Sequence, residues 1–143
     1  MKVDTPEKIK TVKVATNAKP AAGEKIVVLG YPDFAAKTFA VSERYIDKQV
    51  RTTESFVPEP YVTEGIVAIV SSNRELRRDG VIYYGQRGDL LQLTINSTGP
   101  GNSGGPVFNS VGDVIGIFAM AFKSGYASSS GAVPIKYGLE LMH

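Results

Sequence analysis

The stretch Thr98-Gly99-Pro100-Gly101-Asn102-Ser103-Gly104-Gly105-Pro106-Val107 sets a single serine inside a cluster of glycines and prolines. Such a string has a physical use. A serine that attacks a carbonyl needs its Oγ exposed on a sharp turn, with backbone N–H groups converging where the oxyanion will form. Side chains on its neighbours would obstruct both. Gly101 can adopt a conformation closed to most residues and turn its N–H inward to join that of Ser103, while Gly104 and Gly105 allow a substrate and an adjacent strand to approach. From average residue usage, the string Gly101 to Pro106 is expected by chance on the order of once in ten million positions. A bare hairpin turn therefore accounts for it poorly. Ser103 is the candidate nucleophile, and the N–H groups of Gly101 and Ser103 are the candidate oxyanion donors.

Outward from this motif the chain reads as short segments rich in Val, Ile, Thr, Tyr and Phe between turn clusters, the pattern of an antiparallel sandwich or barrel. Strands are expected over Thr11–Ala15, Lys25–Gly30, Thr38–Asp47, Tyr61–Ile69, Val81–Tyr84, Leu90–Asn96, Pro106–Asn109, Val114–Ala121 and Ser130–Pro134. Gly30-Tyr31-Pro32-Asp33, Arg78-Asp79-Gly80, Gln86-Arg87-Gly88-Asp89 and Ser110-Val111-Gly112-Asp113 have turn chemistry. Arg51–Pro60 lacks periodicity and is read as a long surface loop. Ile135–Met142 is expected to form a short helix weakened by Gly138. The fold class is all-β.

At 143 residues, with 43% hydrophobic and 21% charged residues, the chain suits one domain, and 15 glycines and 8 prolines favour turns. A net charge of +2, dispersed along the chain, gives no basic footprint for nucleic acid. With no cysteine, thiolate chemistry and disulfides are excluded, and no metal or cofactor is expected. The sole histidine, His143, is the last residue. No apolar run approaches the ~20 residues of a membrane helix. The start, Met1-Lys2-Val3-Asp4, does not read as a signal peptide, so any export signal is expected outside this chain.

The string Gly101-Asn102-Ser103-Gly104-Gly105-Pro106 resembles the nucleophile motif of the trypsin-like peptidases, and its surroundings resemble the HtrA/Deg branch. Gly23-Glu24-Lys25-Ile26-Val27-Val28-Leu29-Gly30-Tyr31-Pro32 is similar to the strand that opens the second barrel there, and Thr63-Glu64-Gly65-Ile66-Val67 to the next. Val111-Gly112-Asp113-Val114-Ile115-Gly116-Ile117 resembles the strand after the serine, and Gly131-Ala132-Val133-Pro134-Ile135 the strand entering the closing helix. The family fold is two six-stranded barrels with the active site between them, and the resemblance covers the second.

It implies a trypsin-like barrel over residues 21–143 with a remnant of the inter-barrel connection at 1–20. The triad histidine and aspartate belong to the first barrel, and no histidine precedes Ser103. Asp4 and Asp113 are read as turn formers, and a lysine base at Lys25 or Lys123 is not the family's device. The chain is thus expected to be the C-terminal half of a serine endopeptidase, inactive alone, with a non-enzymatic peptide-binding protein as the rival. The primary specificity pocket is expected between Thr98, Gly99 and Pro100, Phe118, Ala119 and Met120, and Gly131, Ala132 and Val133. Alternation would put Phe118 and Met120 on one face. With no acidic residue in this set, the pocket should prefer small or medium apolar side chains. The implied partners are peptide or unfolded protein, the first barrel and a second copy, in a bacterial cell envelope or outside the cell.

Overall fold

The computed structural model describes residues 10–46, 48–78, 81–96, 99–124 and 127–142. Its elements in chain order are β1 (Lys25–Gly30), β2 (Lys37–Ile46), β3 (Gln49–Pro58), β4 (Tyr61–Arg78), β5 (Val81–Leu93), β6 (Pro106–Asn109), β7 (Val114–Ser124), β8 (Ala127–Pro134) and α1 (Lys136–Glu140). Six strands close an antiparallel barrel in the order β1-β4-β5-β8-β7-β6, and β2 and β3 form a sheet of their own. Closure leaves the barrel no edge to template foreign strands.

Strand β1 shows why this sequence closes. Ile26, Val28 and Gly30 are buried in alternation, and Ile26 and Val28 face inward between β4 and β6. They join Val67, Leu91, Leu93, Ile95, Val107, Ile115, Phe118 and Ala132, nearly all fully enclosed, in one core. Burying each large aliphatic there contributes about 1.5–3 kcal/mol. The buried Ser130 hydroxyl donates to the Ile95 carbonyl oxygen at 2.9 Å, so it is not orphaned.

Residues 10–20 run as a strap across the barrel. The Ala15 N–H donates to the Val114 carbonyl at 3.0 Å, the Val114 N–H donates to Lys13 at 2.9 Å, and Ala15 and Ala18 pack on the core. The expected strand at Thr11–Ala15 reduces to this single parallel bridge at Val14.

Three further readings change. Arg51–Pro60 is not a loop, because β3 pairs with β2 through ten consecutive rungs from Lys37–Pro58 to Ile46–Gln49. It lacks periodicity because this hairpin stands outside the barrel, where no core selects one face. Val81–Tyr84 and Leu90–Asn96 belong to one strand, β5, in which Gly88 at φ 101° absorbs an irregularity opposite Arg74 rather than a reversal. The closing helix is five residues long, not eight.

The register also shifts at the base of the hairpin. Gly30 pairs with Tyr61 in the barrel and Lys37 with Pro58 in the hairpin, so residues 31–36 on one side answer only Glu59 and Pro60 on the other. The surplus is diverted toward the loop that carries Ser103. The Glu59 N–H donates to the Ala36 carbonyl at 2.8 Å to close the ladder again.

Candidate active site

Ser103 stands at the corner of two successive tight turns. The first is Gly99-Pro100-Gly101-Asn102, closed by the Asn102 N–H donating to the Gly99 carbonyl at 3.2 Å, with Gly101 at φ 100°. Proline then glycine at the central positions is the preferred pair for a type II turn. The second is Asn102-Ser103-Gly104-Gly105, closed by the Gly105 N–H donating to Asn102 at 3.0 Å, with Gly104 at φ 89°. Ser103 occupies its first central position and is exposed. Sequence reading saw the glycines but not these turns, although Pro100-Gly101 was their signal.

The loop is held from both sides. Toward β7, the Gly104 N–H donates to the Phe118 carbonyl and the Phe118 N–H to the Gly105 carbonyl, both at 2.8 Å. Toward β1, the Tyr31 N–H donates to the Gly101 carbonyl at 3.3 Å and the Asp33 N–H to the Pro100 carbonyl at 2.9 Å. The diverted residues 31–34 are thus a buttress, a role the turn reading of Gly30-Tyr31-Pro32-Asp33 missed. Packing is close: a Cβ on Gly101 would lie 2.1 Å from the Tyr31 carbonyl oxygen, and one on Gly105 would lie 2.3 Å from that of Leu29.

Because C=O and N–H point in opposite directions across a trans peptide, the Asp33–Pro100 bond directs the Gly101 N–H away from the buttress. Among the described residues, nothing accepts a hydrogen bond from the N–H of Gly101 or Ser103. Two backbone donors beside an exposed serine remain available to an oxyanion. Asn102 between them is only 2% exposed, its Oδ1 against Gly30 and without a partner among the described residues. It anchors the loop on β1.

Among the predicted pocket residues, Gly99 cradles the Phe34 ring, where a Cβ would meet it at 3.0 Å. Phe118 and Ala132 are paired across β7 and β8, with both side chains in the core. Ala119 is the extra residue of a bulge between Phe118 and Met120, which oppose the consecutive residues Ala132 and Gly131. The bulge overturns the expected alternation, because inserting one residue moves Met120 off the Phe118 face. Ala119 and Met120 are half-buried.

Thr98, Asp4 and His143 lie outside the described residues, as does the side chain of Lys123. Lys25 begins β1, five residues from Gly30, so roughly 17 Å of strand separates it from the end that meets the nucleophile loop. Asp113 sits in a turn whose Asn109 Oδ1 accepts its N–H at 2.9 Å, and its carboxylate pairs with Lys13 at 2.8 Å. Among the described residues no group of acidic or histidine side chains could hold a metal.

Known proteins resemble this chain in sequence and in fold. Residues 1–117 match the family described as trypsin-like peptidase domain. A probable periplasmic serine endoprotease, DegP-like, of Halomonas elongata is 40% identical over 82 residues, covering 56% of this chain and 15% of that protein. Its counterpart in Hahella chejuensis is 36% identical over 84 residues, covering 57% and 16%. The matched stretch therefore spans about a sixth of the length of these relatives. A solved HtrA-type protease, a serine-to-alanine variant of AlgW with a decapeptide, superposes over 99% of this chain and 34% of its own with a TM-score of 0.61 at 22% identity, a likeness of fold. A closed six-stranded barrel, a serine on paired glycine turns and a family match over most of its length place this chain in the trypsin-like peptidase domain family, in its HtrA/DegP type.

Proposed function

We propose that this chain is the nucleophile-bearing half of a serine endopeptidase, with residues 1–20 as the connection from a preceding barrel and residues 21–143 as the second barrel. Ser103 Oγ attacks the peptide carbonyl as the general base takes its proton, and the Gly101 and Ser103 N–H groups receive the oxyanion. The C–N bond breaks as that proton passes to the leaving amine, and water then hydrolyses the acyl-enzyme to free Ser103 and release the carboxylic acid. The observation that carries this reading is the Pro100–Gly101 peptide held by Asp33, with the Gly101 N–H directed away from that bond and no acceptor taking it among the described residues. A donor held in place this way is worth about 3 kcal/mol to the transition state.

The general base and its orienting acid come from the preceding barrel, because no histidine precedes Ser103 and Lys25 lies far along β1. A serine hydroxyl is a weak nucleophile until a neighbour takes its proton, so the chain alone is inactive. Gly99 and the half-buried Ala119 and Met120 line the wall that receives the substrate side chain before the scissile bond, with the core residues Phe118 and Ala132 behind it. With no carboxylate among them, small or medium apolar groups are favoured. Thr98 completes that wall in this reading. The relatives' periplasmic description supports a place in the cell envelope.

The test is a fluorophosphonate read by intact mass. The chain alone should stay unlabelled under conditions that saturate trypsin, and added imidazole, standing in for the missing base, should bring labelling that Ser103→Ala abolishes. Rapid labelling without imidazole would reveal a base within the chain, and none with it would refute the assembled oxyanion site.

A further inference from the structure

The β2–β3 hairpin is an arm of ten paired rungs, about 34 Å long, standing outside the barrel beside the nucleophile buttress. Residues paired across an antiparallel ladder share a face. One face therefore carries Lys37 with Pro58 at the base, then Phe39 with Phe56, Val41 with Glu54, Glu43 with Thr52, and Tyr45 with Val50. The Phe39 and Phe56 rings touch edge to face at 5.6 Å. Beyond the half-buried Pro58, the five apolar side chains of this face are exposed, Phe56 to 68% and Tyr45 to 74%. An isolated two-stranded hairpin is at best marginally stable in water, so an arm this apolar is suited to a covering partner.

Charge decides what covers it. Glu43 and Glu54 are diagonal neighbours at the middle of the apolar face, and neither has an ion-pair partner among the described residues. Laying the same face of a second copy on it would oppose four carboxylates, which disfavours self-pairing there. Among the described residues β2 pairs only with β3, so its outer edge is open, and along that edge the shared face reads Phe39, Val41, Glu43, Tyr45. An extended polypeptide has the same side-chain repeat and can add to such an edge.

We propose that the outer edge of β2 is a docking site for an extended segment of polypeptide substrate. The segment runs antiparallel to β2, with apolar residues opposite Tyr45, Val41 and Phe39 and a lysine or arginine opposite Glu43. This rests on the peptidase reading only in calling the segment a substrate. β2 begins at Lys37, four residues after Asp33, whose N–H holds the Pro100 carbonyl of the Ser103 loop, so a chain held along β2 has its end opposite Phe39 at the side of the arm nearest that loop in the chain.

The experiment uses the full chain carrying Ser103→Ala, and fluorescence anisotropy of two labelled peptides, Val-Thr-Lys-Thr-Val-Thr-Phe and the same peptide with Glu replacing Lys. The lysine peptide should bind at least tenfold tighter than the glutamate peptide. Glu43→Lys should reverse that preference, an outcome that misfolding cannot imitate, and Phe39→Ser should weaken both peptides. Equal affinity for the two peptides, or no change with Glu43→Lys, overturns the proposal. So does a dimer, seen by light scattering, that Phe39→Ser dissolves. Loss of selective binding while imidazole-assisted labelling of Ser103 persists refutes the docking edge alone, and selective binding without any labelling refutes the peptidase reading alone.

Discussion

The N–H of Asp33 donates to the carbonyl oxygen of Pro100 at 2.9 Å, joining the segment that follows β1 to the loop that carries Ser103. The bond crosses sixty-seven positions of sequence and fixes one peptide plane. In the proposed mechanism, rotation of that plane by half a turn would replace the Gly101 N–H with a carbonyl oxygen, turning attraction into repulsion at the point where negative charge would develop. On that proposal the competence of Ser103 depends on a residue in a different strand connection.

Gly101→Ala should break this arrangement. Its Cβ would fall 2.1 Å from the Tyr31 carbonyl oxygen at a backbone φ of 100°, so the loop must move away from Tyr31. Strain of this kind costs about 1–3 kcal/mol. Urea unfolding should show that loss, and imidazole-assisted phosphonate labelling of Ser103 should fall by at least tenfold. A variant that labels as well as the parent would show that the Gly101 N–H is not an oxyanion donor.

Gly30→Ala tests the other contact. A Cβ at Gly30 would meet Asn102 Oδ1 at 2.1 Å and its Cα at 3.0 Å, and Asn102 is enclosed with no room to retreat. Overpacking a filled site costs about 1–3 kcal/mol. Labelling of Ser103 should drop with the stability, since the displaced residue is its neighbour, and unchanged labelling would mean that Asn102 does not set the serine's position.

Much of the barrel was legible because burial imposes alternation. Lys25–Gly30 and Pro106–Asn109 were read to the residue, as strands whose inward side chains meet the core. The arm was half-missed: Thr38–Asp47 was recognised but its partner was not, since β3 has no buried face to order its apolar residues. Ser103 was legible from its glycines. The buttress was not, because Gly30-Tyr31-Pro32-Asp33 has ordinary turn chemistry, and its hydrogen bonds to Pro100 and Gly101 join segments that local patterns cannot connect. The bulge at Ala119 was equally hidden, since its register is set by β8.

Leu93→Ala and Ser103→Ala should separate stability from chemistry. Leu93 is 0% exposed in the core, and truncating such a leucine costs about 2–5 kcal/mol. Ser103 is exposed at a turn corner and its hydroxyl has no partner among the described residues, so its loss should leave the urea midpoint within error while abolishing labelling. A Ser103→Ala variant as unstable as Leu93→Ala would assign the hydroxyl a structural role.

Lys136, at the start of α1, donates to the carboxylate of Asp89, beside Gly88 within β5, and the Asp89 N–H donates to the Tyr137 hydroxyl at 2.9 Å. The hydrogen bond to Asp89 chiefly, and its charge besides, hold the Lys136 ammonium above the ordinary lysine value of 10.5. A pKa raised on folding means that the folded chain keeps its proton longer than the unfolded chain does. The contribution is therefore complete below the unfolded lysine value and fades as pH rises through the higher folded one. The ammonium is largely in water, so screening keeps the effect small. The Tm difference between the parent and Lys136→Met should stay constant from about pH 7 to about pH 9 and shrink above about pH 11, where the free side chain is neutral. Subtracting the variant removes the tyrosines and other lysines that titrate in the same range. A difference that grows with alkaline pH would mean that the pair opposes folding, and that α1 is held to the barrel by Tyr137 and the packing of its backbone instead.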